Sequence, residues 1–169
     1  MKKTFLILSL LSLLVSCIEP KEKITETSKE AINTFLDKWH KDAAETNFES
    51  YFDAIAEDGI FIGTDASENW NKKEFMAFSK PYFDKGKAWN FTALERNIYF
   101  SKDKNTIWFD ELLDTQMKLC RGSGVLEKID GQLKIKHYVL SMTIPNDNSS
   151  DVISIKSAIE DKIINDKKK

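Results

Sequence analysis

His40 and His137 are the two side chains in this sequence whose ordinary chemistry suits proton transfer near neutral pH in either direction. His137 stands in a segment where apolar and polar residues alternate, which makes it the stronger candidate. A histidine satisfied inside a core is the commoner outcome, and no partner for it is identifiable. His40 neighbours a packed helical stripe and reads as a surface residue. Asp110, Glu111 and Asp114 place carboxylates on both faces of one strand, so at least one should approach a cavity behind it. Such a carboxylate with a raised pKa could act as acid or base beside His137, with Asp110 and Glu111 as the candidates. Solubilising surface acids explain the same residues equally well.

Other side chains could bind rather than react. Trp39, Trp70, Trp108 and Tyr138 could line a site for a flat apolar ligand, although such residues are more often simply core. Arg121 could fix an anionic group through paired hydrogen bonds or pair with a nearby acid. Asp65 and Glu68 occupy a loop at an expected pocket mouth, where ligand contact and turn hydrogen bonding are both reasonable roles. Cys120 has no second histidine or helix N-terminus beside it and reads as a buried small hydrophobe. No metal-ligand spacing, phosphate loop or serine-nucleophile turn is present, and no cofactor is implied.

The elements that must position these groups follow from periodicity. Ile32, Phe35, Trp39 and Ala43 recur at spacings of three and four, which predicts a helix from Ser28 to about Asn47. Phe48, Tyr51, Phe52 and Ile55 predict a second, shorter helix that Asp58-Gly59 breaks, followed by a buried strand at Ile60-Phe61-Ile62 and a loop over residues 64–70. Asn71 with Glu74 reads as a capping box for a third helix carrying Phe75, Phe78, Ser79 and Tyr82, with Gly86 as its C-cap. From there the period is two, with strands predicted at 88–100, 106–117, 120–129 and 132–144. Pro145 ends the sheet, and Val152, Ile155, Ile159 and Ile163 predict a last helix capped at Ser150-Asp151. Three helices followed by an antiparallel meander give an α+β domain with helices on one face of a curved sheet and a C-terminal helix.

A two-residue turn at Asp130-Gly131 fixes a register for the last two strands. Leu126 then opposes Ile135, Gly124 opposes His137 and Gly122 opposes Val139. This face is apolar and bare around His137, leaving space that could admit a ligand. The other face pairs Glu127 with Lys134, Val125 with Lys136 and Arg121 with Leu140.

The start of the chain carries an address. Lys2 and Lys3 precede a short apolar run over residues 5–15, too short for a mature bilayer span of about 20 residues, so it reads as a signal peptide. Leu14-Val15-Ser16-Cys17 resembles the lipobox of bacterial lipoprotein precursors. That resemblance implies cleavage before Cys17, attachment of acyl chains to it, and a membrane-anchored, exported protein of the cell envelope. Ile18 rather than Asp after the cysteine favours the outer membrane under the sorting rule of some bacteria. Two or three acyl chains anchor stably where one would not, since each buried methylene contributes about 0.8 kcal/mol. Residues 1–16 are the signal peptide, 17–27 the lipidated cysteine and its polar tether, 28–147 the domain, and 148–169 the C-terminal helix and charged tail.

Removing residues 1–16 takes away two lysines and no acid, so the formal charge goes from -2 to -4. With Arg96 and Arg121 the only arginines, no broad basic face is on offer, which argues against nucleic-acid binding. Lipidation of Cys17 leaves Cys120 without a partner for an internal disulfide, so stability must come from packing.

Four ordered blocks carry a family resemblance over residues 28–147. They are Phe61-Ile62-Gly63-Thr64-Asp65 with Glu68 and Trp70; Trp108-Phe109-Asp110-Glu111-Leu112-Leu113-Asp114; Arg121-Gly122-Ser123-Gly124-Val125-Leu126; and Leu133 through Ser141 with Ile144-Pro145-Asn146. The stretch resembles the SnoaL-like branch of the nuclear transport factor 2-like superfamily, and the resemblance implies a cone whose bent sheet wraps helices around a central pocket. Leu133 departs from the tryptophan usual there. Because that superfamily hosts isomerases, cyclases, dehydratases and members of no known reaction, fold alone does not choose among them. Three readings follow: a pocket for a small, partly apolar molecule; an isomerase, dehydratase or cyclase using His137 and a strand carboxylate; and a homodimer or protein-partner module built on the open sheet face.

Overall fold

The computed structural model describes residues 28–169. Cys17, the signal peptide and the tether therefore lie outside the described residues. Helix α1 (Lys29–Ala44) starts where the Ser28 hydroxyl accepts the Ala31 N–H at 3.1 Å. It buries Ile32, Leu36, Trp39 and Ala43 along one stripe. Asn33, Asp37 and His40 follow the adjacent stripe, so polar side chains also turn toward the sheet.

Helix α2 (Phe48–Asp53) is short, because strand β1 (Ile55–Ile62) begins earlier than the composition suggests. Asp58-Gly59 is a bulge within β1 rather than a break. A Cβ on Gly59 would meet Ile55 Cγ2 at 2.6 Å and the Ile135 carbonyl at 3.0 Å, so only glycine lets the two strands approach there. Strand β2 (Asn69–Asn71) begins within the stretch expected to be a loop and ends on the expected capping residue. It runs into α3 (Lys72–Asp84), whose capping box forms as expected: Asn71 Oδ1 accepts the Glu74 N–H at 3.0 Å and Glu74 Oε2 accepts the Asn71 N–H at 3.0 Å.

Four long strands follow, β3 (Phe91–Phe100), β4 (Thr106–Thr115), β5 (Lys118–Ile129) and β6 (Gln132–Met142). The six form one curved sheet in the order β2-β1-β6-β5-β4-β3, antiparallel except that β1 lies parallel to β6. Asp130 and Gly131 both have positive φ, 51° and 78°, as a two-residue primed turn requires. The α+β architecture, with helices on one face of the sheet and α4 (Ser149–Lys167) at the C-terminus, is the expected one. No residue of α4 is buried: of the apolar side chains that predicted this helix, Ile155 is 79% exposed and Ile159 69%, while Val152 and Ile163 are half-buried.

Two further bulges decide which side chains face inward. The register of β5 and β6 runs as predicted through Leu126 opposite Ile135, then slips by one so that Val125 opposes His137, Gly124 opposes Tyr138 and Gly122 opposes Leu140. The slip turns His137 to the outer face and Tyr138 to the inner one, correcting the expected arrangement. A similar irregularity in β3 lies between Ala93 and Glu95, beyond the pair of Arg96 and Glu111, which face each other in the unbroken register running back from Phe100 opposite Ile107. The space expected beside the glycines is filled: a Cβ on Gly124 would lie 2.8 Å from the Phe109 ring, and one on Gly122 would lie 2.2 Å from the Tyr138 hydroxyl.

Candidate functional site

Glu111 lies fully buried on the inner face at the centre of a polar network. Its Oε1 accepts from His40 Nε2 at 2.9 Å and from the Tyr138 hydroxyl at 2.9 Å, and its Oε2 accepts from Arg96 Nε at 2.8 Å. Arg96 continues outward, donating through Nη1 to the Asn33 side chain at 3.1 Å and to Asp37 at 2.9 Å. Helix α1 and strands β3, β4 and β6 are thus joined through one carboxylate. Burial pushes Glu111 up, but hydrogen bonding and charge from His40 and Arg96 outweigh it, leaving the carboxyl below its ordinary value. Burial, then the Glu111 charge, pushes Tyr138 well above the usual phenol range, so its hydroxyl remains a donor.

Two aromatic rings border this network. Phe61 stacks on Tyr138 at 5.5 Å between centroids, and Phe91 meets the His40 ring edge-on at 5.8 Å. On the far side of those two rings lies an open cleft of about 190 Å³. Its walls carry six aromatic side chains, Phe61, Trp70, Phe75, Phe78, Trp89 and Phe91. Several of these rings lie nearly parallel: Phe75 stacks on Phe61 at 3.9 Å and 16°, on Trp70 at 5.5 Å and 13°, and on Trp89 at 5.6 Å and 18°. Glu68, Thr64 and Gln116 supply polar groups at the rim. An apolar cavity of roughly 150 Å³ holds a benzene ring, so this cleft is large enough for one aromatic ring and a short substituent.

The sequence-level candidates divide between these places. Glu111 and Tyr138 come together in the network, joined by His40, which is buried rather than on the surface, and by Arg96. Trp70 and Glu68 reach the cleft, while Asp65 sits outside it, its carboxylate accepting from the Ser67 N–H at 2.8 Å. Trp39 is core, stacked on Tyr51 at 5.1 Å, and its indole N–H is buried with no partner among the described residues. Asp110, Arg121, Trp108 and His137 are on the outer face. There Asp110 pairs with Arg121 at 3.7 Å and Trp108 stacks on Tyr99 at 5.9 Å. His137 and Glu111 therefore do not share a site. Cys120 is fully buried, as expected of a small hydrophobe. Among the described residues no group of three His, Cys, Asp or Glu side chains is placed to hold a metal ion.

Arg96 and His40 escaped the sequence reading, yet each left a signal. Asn33, Asp37 and His40 fall at i, i+4 and i+7, a polar stripe beside the apolar one. Counting back from the loop after Phe100 opposes Phe100 to Ile107 and Arg96 to Glu111, a cross-strand pair of opposite charge.

Comparison with known proteins bears on this geometry. The SnoaL-like domain family matches residues 32–145. Among curated proteins none matches. Among solved structures, a domain of unknown function with a cystatin-like fold from Nostoc punctiforme PCC 73102 aligns with a TM-score of 0.61 at 15% identity, covering 86% of this chain and 99% of that one. An NTF2-like protein from Cytophaga hutchinsonii ATCC 33406 aligns with a TM-score of 0.58 at 16% identity, over 69% of this chain and 98% of that one. A candidate ketosteroid isomerase from Parabacteroides distasonis ATCC 8503 gives 0.57 at 16% identity, over 73% and 94%. At these identities the likeness is one of fold.

Proposed function

We propose that this chain, which belongs to the SnoaL-like domain family, binds a small, partly apolar molecule in its aromatic cleft and is held at a membrane of the cell envelope by acyl chains on Cys17. The observation that carries the binding reading is the cleft itself: about 190 Å³ of open space against six aromatic side chains, several of them parallel, with polar groups confined to the rim. A flat ligand sliding in parallel to those rings would bury its faces against them, while its polar end stayed at the mouth. Binding rather than turnover is favoured because Glu111 is bonded to three donors behind Phe61 and Phe91, ionised and away from the cleft.

Anchorage rests on residues 14–17 and on the polar tether that follows. Among the described residues no helix is long and apolar enough to cross a membrane. The binding reading is tested by a panel of single-ring aromatic compounds, neutral, cationic and anionic, scored by melting temperature. A shift that grows with concentration and is lost in Trp70→Ala supports it; a flat response across the panel removes it.

A further inference from the structure

We infer that the occupant of the cleft is an organic ammonium ion carrying a flat apolar group, an inference that rests on the cleft being a binding site. Among the described residues Glu68 is the only ionisable side chain that lines the cleft, and it is an acid. No lysine, arginine or histidine among the described residues lines it, so a carboxylate, sulfate or phosphate entering would meet aromatic rings and a negative charge with none of these cations to neutralise it. An ammonium group meets the reverse. It gains a counter-charge at the rim, and aromatic rings within about 6 Å add attraction through their quadrupoles.

The position of Glu68 is built in. Gly63 lies under it, and a Cβ there would come within 2.2 Å of Oε2, so a larger residue at 63 would push the carboxylate away. The Asp65 N–H donates to that same Oε2 at 3.1 Å and holds the side chain against the strand. Oε1 carries no hydrogen bond among the described residues and is available to a donor on the ligand. Asp65, the neighbouring acid, is occupied by Ser67 outside the cleft and does not compete. Thr64 and Gln116 add neutral hydrogen-bonding capacity at the same rim, which suits the N–H groups of an amine.

Calorimetric titration of the purified protein with three probes of similar shape tests this: phenethylamine as the cation, 2-phenylethanol as the neutral form and 3-phenylpropionate as the anion. The cation should bind tightest, ahead of the anion by about tenfold or more. Glu68→Gln keeps an acceptor for the Asp65 N–H but removes the charge, and should erase most of that preference. Gln116→Glu, at an exposed turn, should widen it, which keeps the test open if the first variant folds poorly. Equal or tighter binding of the neutral or anionic probe, or a cation preference unmoved by both variants, overturns the inference while leaving the cleft a binding site. Failure of all three probes to bind removes the cleft reading and this inference together.

Discussion

The hydroxyl of Tyr138 occupies the volume that a side chain at position 122 would need: a Cβ on Gly122 would lie 2.2 Å from it and 3.0 Å from Glu111 Oε1. Gly122 is therefore what allows the Tyr138 hydroxyl to reach the Glu111 carboxylate at 2.9 Å. Tyr138→Phe removes a hydrogen bond to a buried charge and should cost about 1.5–3 kcal/mol in urea unfolding. Gly122→Ala should also destabilise. The double variant should lose less than the two costs added, with a coupling of about 1 kcal/mol or more. Strict additivity would show that hydroxyl and glycine do not share this space.

Acid should find the same network. Because the folded-state value of Glu111 lies below its ordinary 4.5, its contribution to stability is present above about that pH and is lost as pH falls through the folded value. In Glu111→Gln this part of the acid limb should flatten, at the expense of a lower stability at neutral pH. A stability curve against pH with the same acid slope in both proteins would contradict the assignment.

His137 makes a control. Its ring is turned to the outer face by the slip in β6, half-buried and away from the cleft. His137→Ala should change the unfolding free energy little, by less than about 1 kcal/mol, and leave phenethylamine affinity unchanged. A loss of binding in this variant would place the ligand on the other side of the sheet.

Anchorage can be read directly. Cys17→Ser should move the protein from the detergent phase to the aqueous phase in partition experiments and remove the acyl mass from its N-terminal peptide. Detergent-phase partition that survives the substitution would show that the cysteine carries no anchor.

The fold was largely legible and the polar centre was not, for one physical reason. Caps and turns announce themselves in residue types: Asn71 with Glu74, and Asp130-Gly131, stand where the structure puts them. Bulges do not. Nothing about Leu94 or Lys136 marks an extra residue, yet each changes the parity of everything beyond it. A strict period of two past Lys136 therefore sends Tyr138 outward and His137 inward, the reverse of what the chain does. The aromatic cleft was half visible, through Trp70 and Glu68. Phe61, Phe75 and Trp89 could only be read as core until α3 was seen to leave a gap beside the turn at Gln116-Met117.

The C-terminal helix leaves the molecule with two clocks. None of the 19 residues of α4 is buried, and Ile159 is 69% exposed, so among the described residues its own backbone bonds are a main part of what holds it. Its amide protons should exchange with solvent through local opening long before those flanking Glu111, which wait for the sheet and α1 to separate.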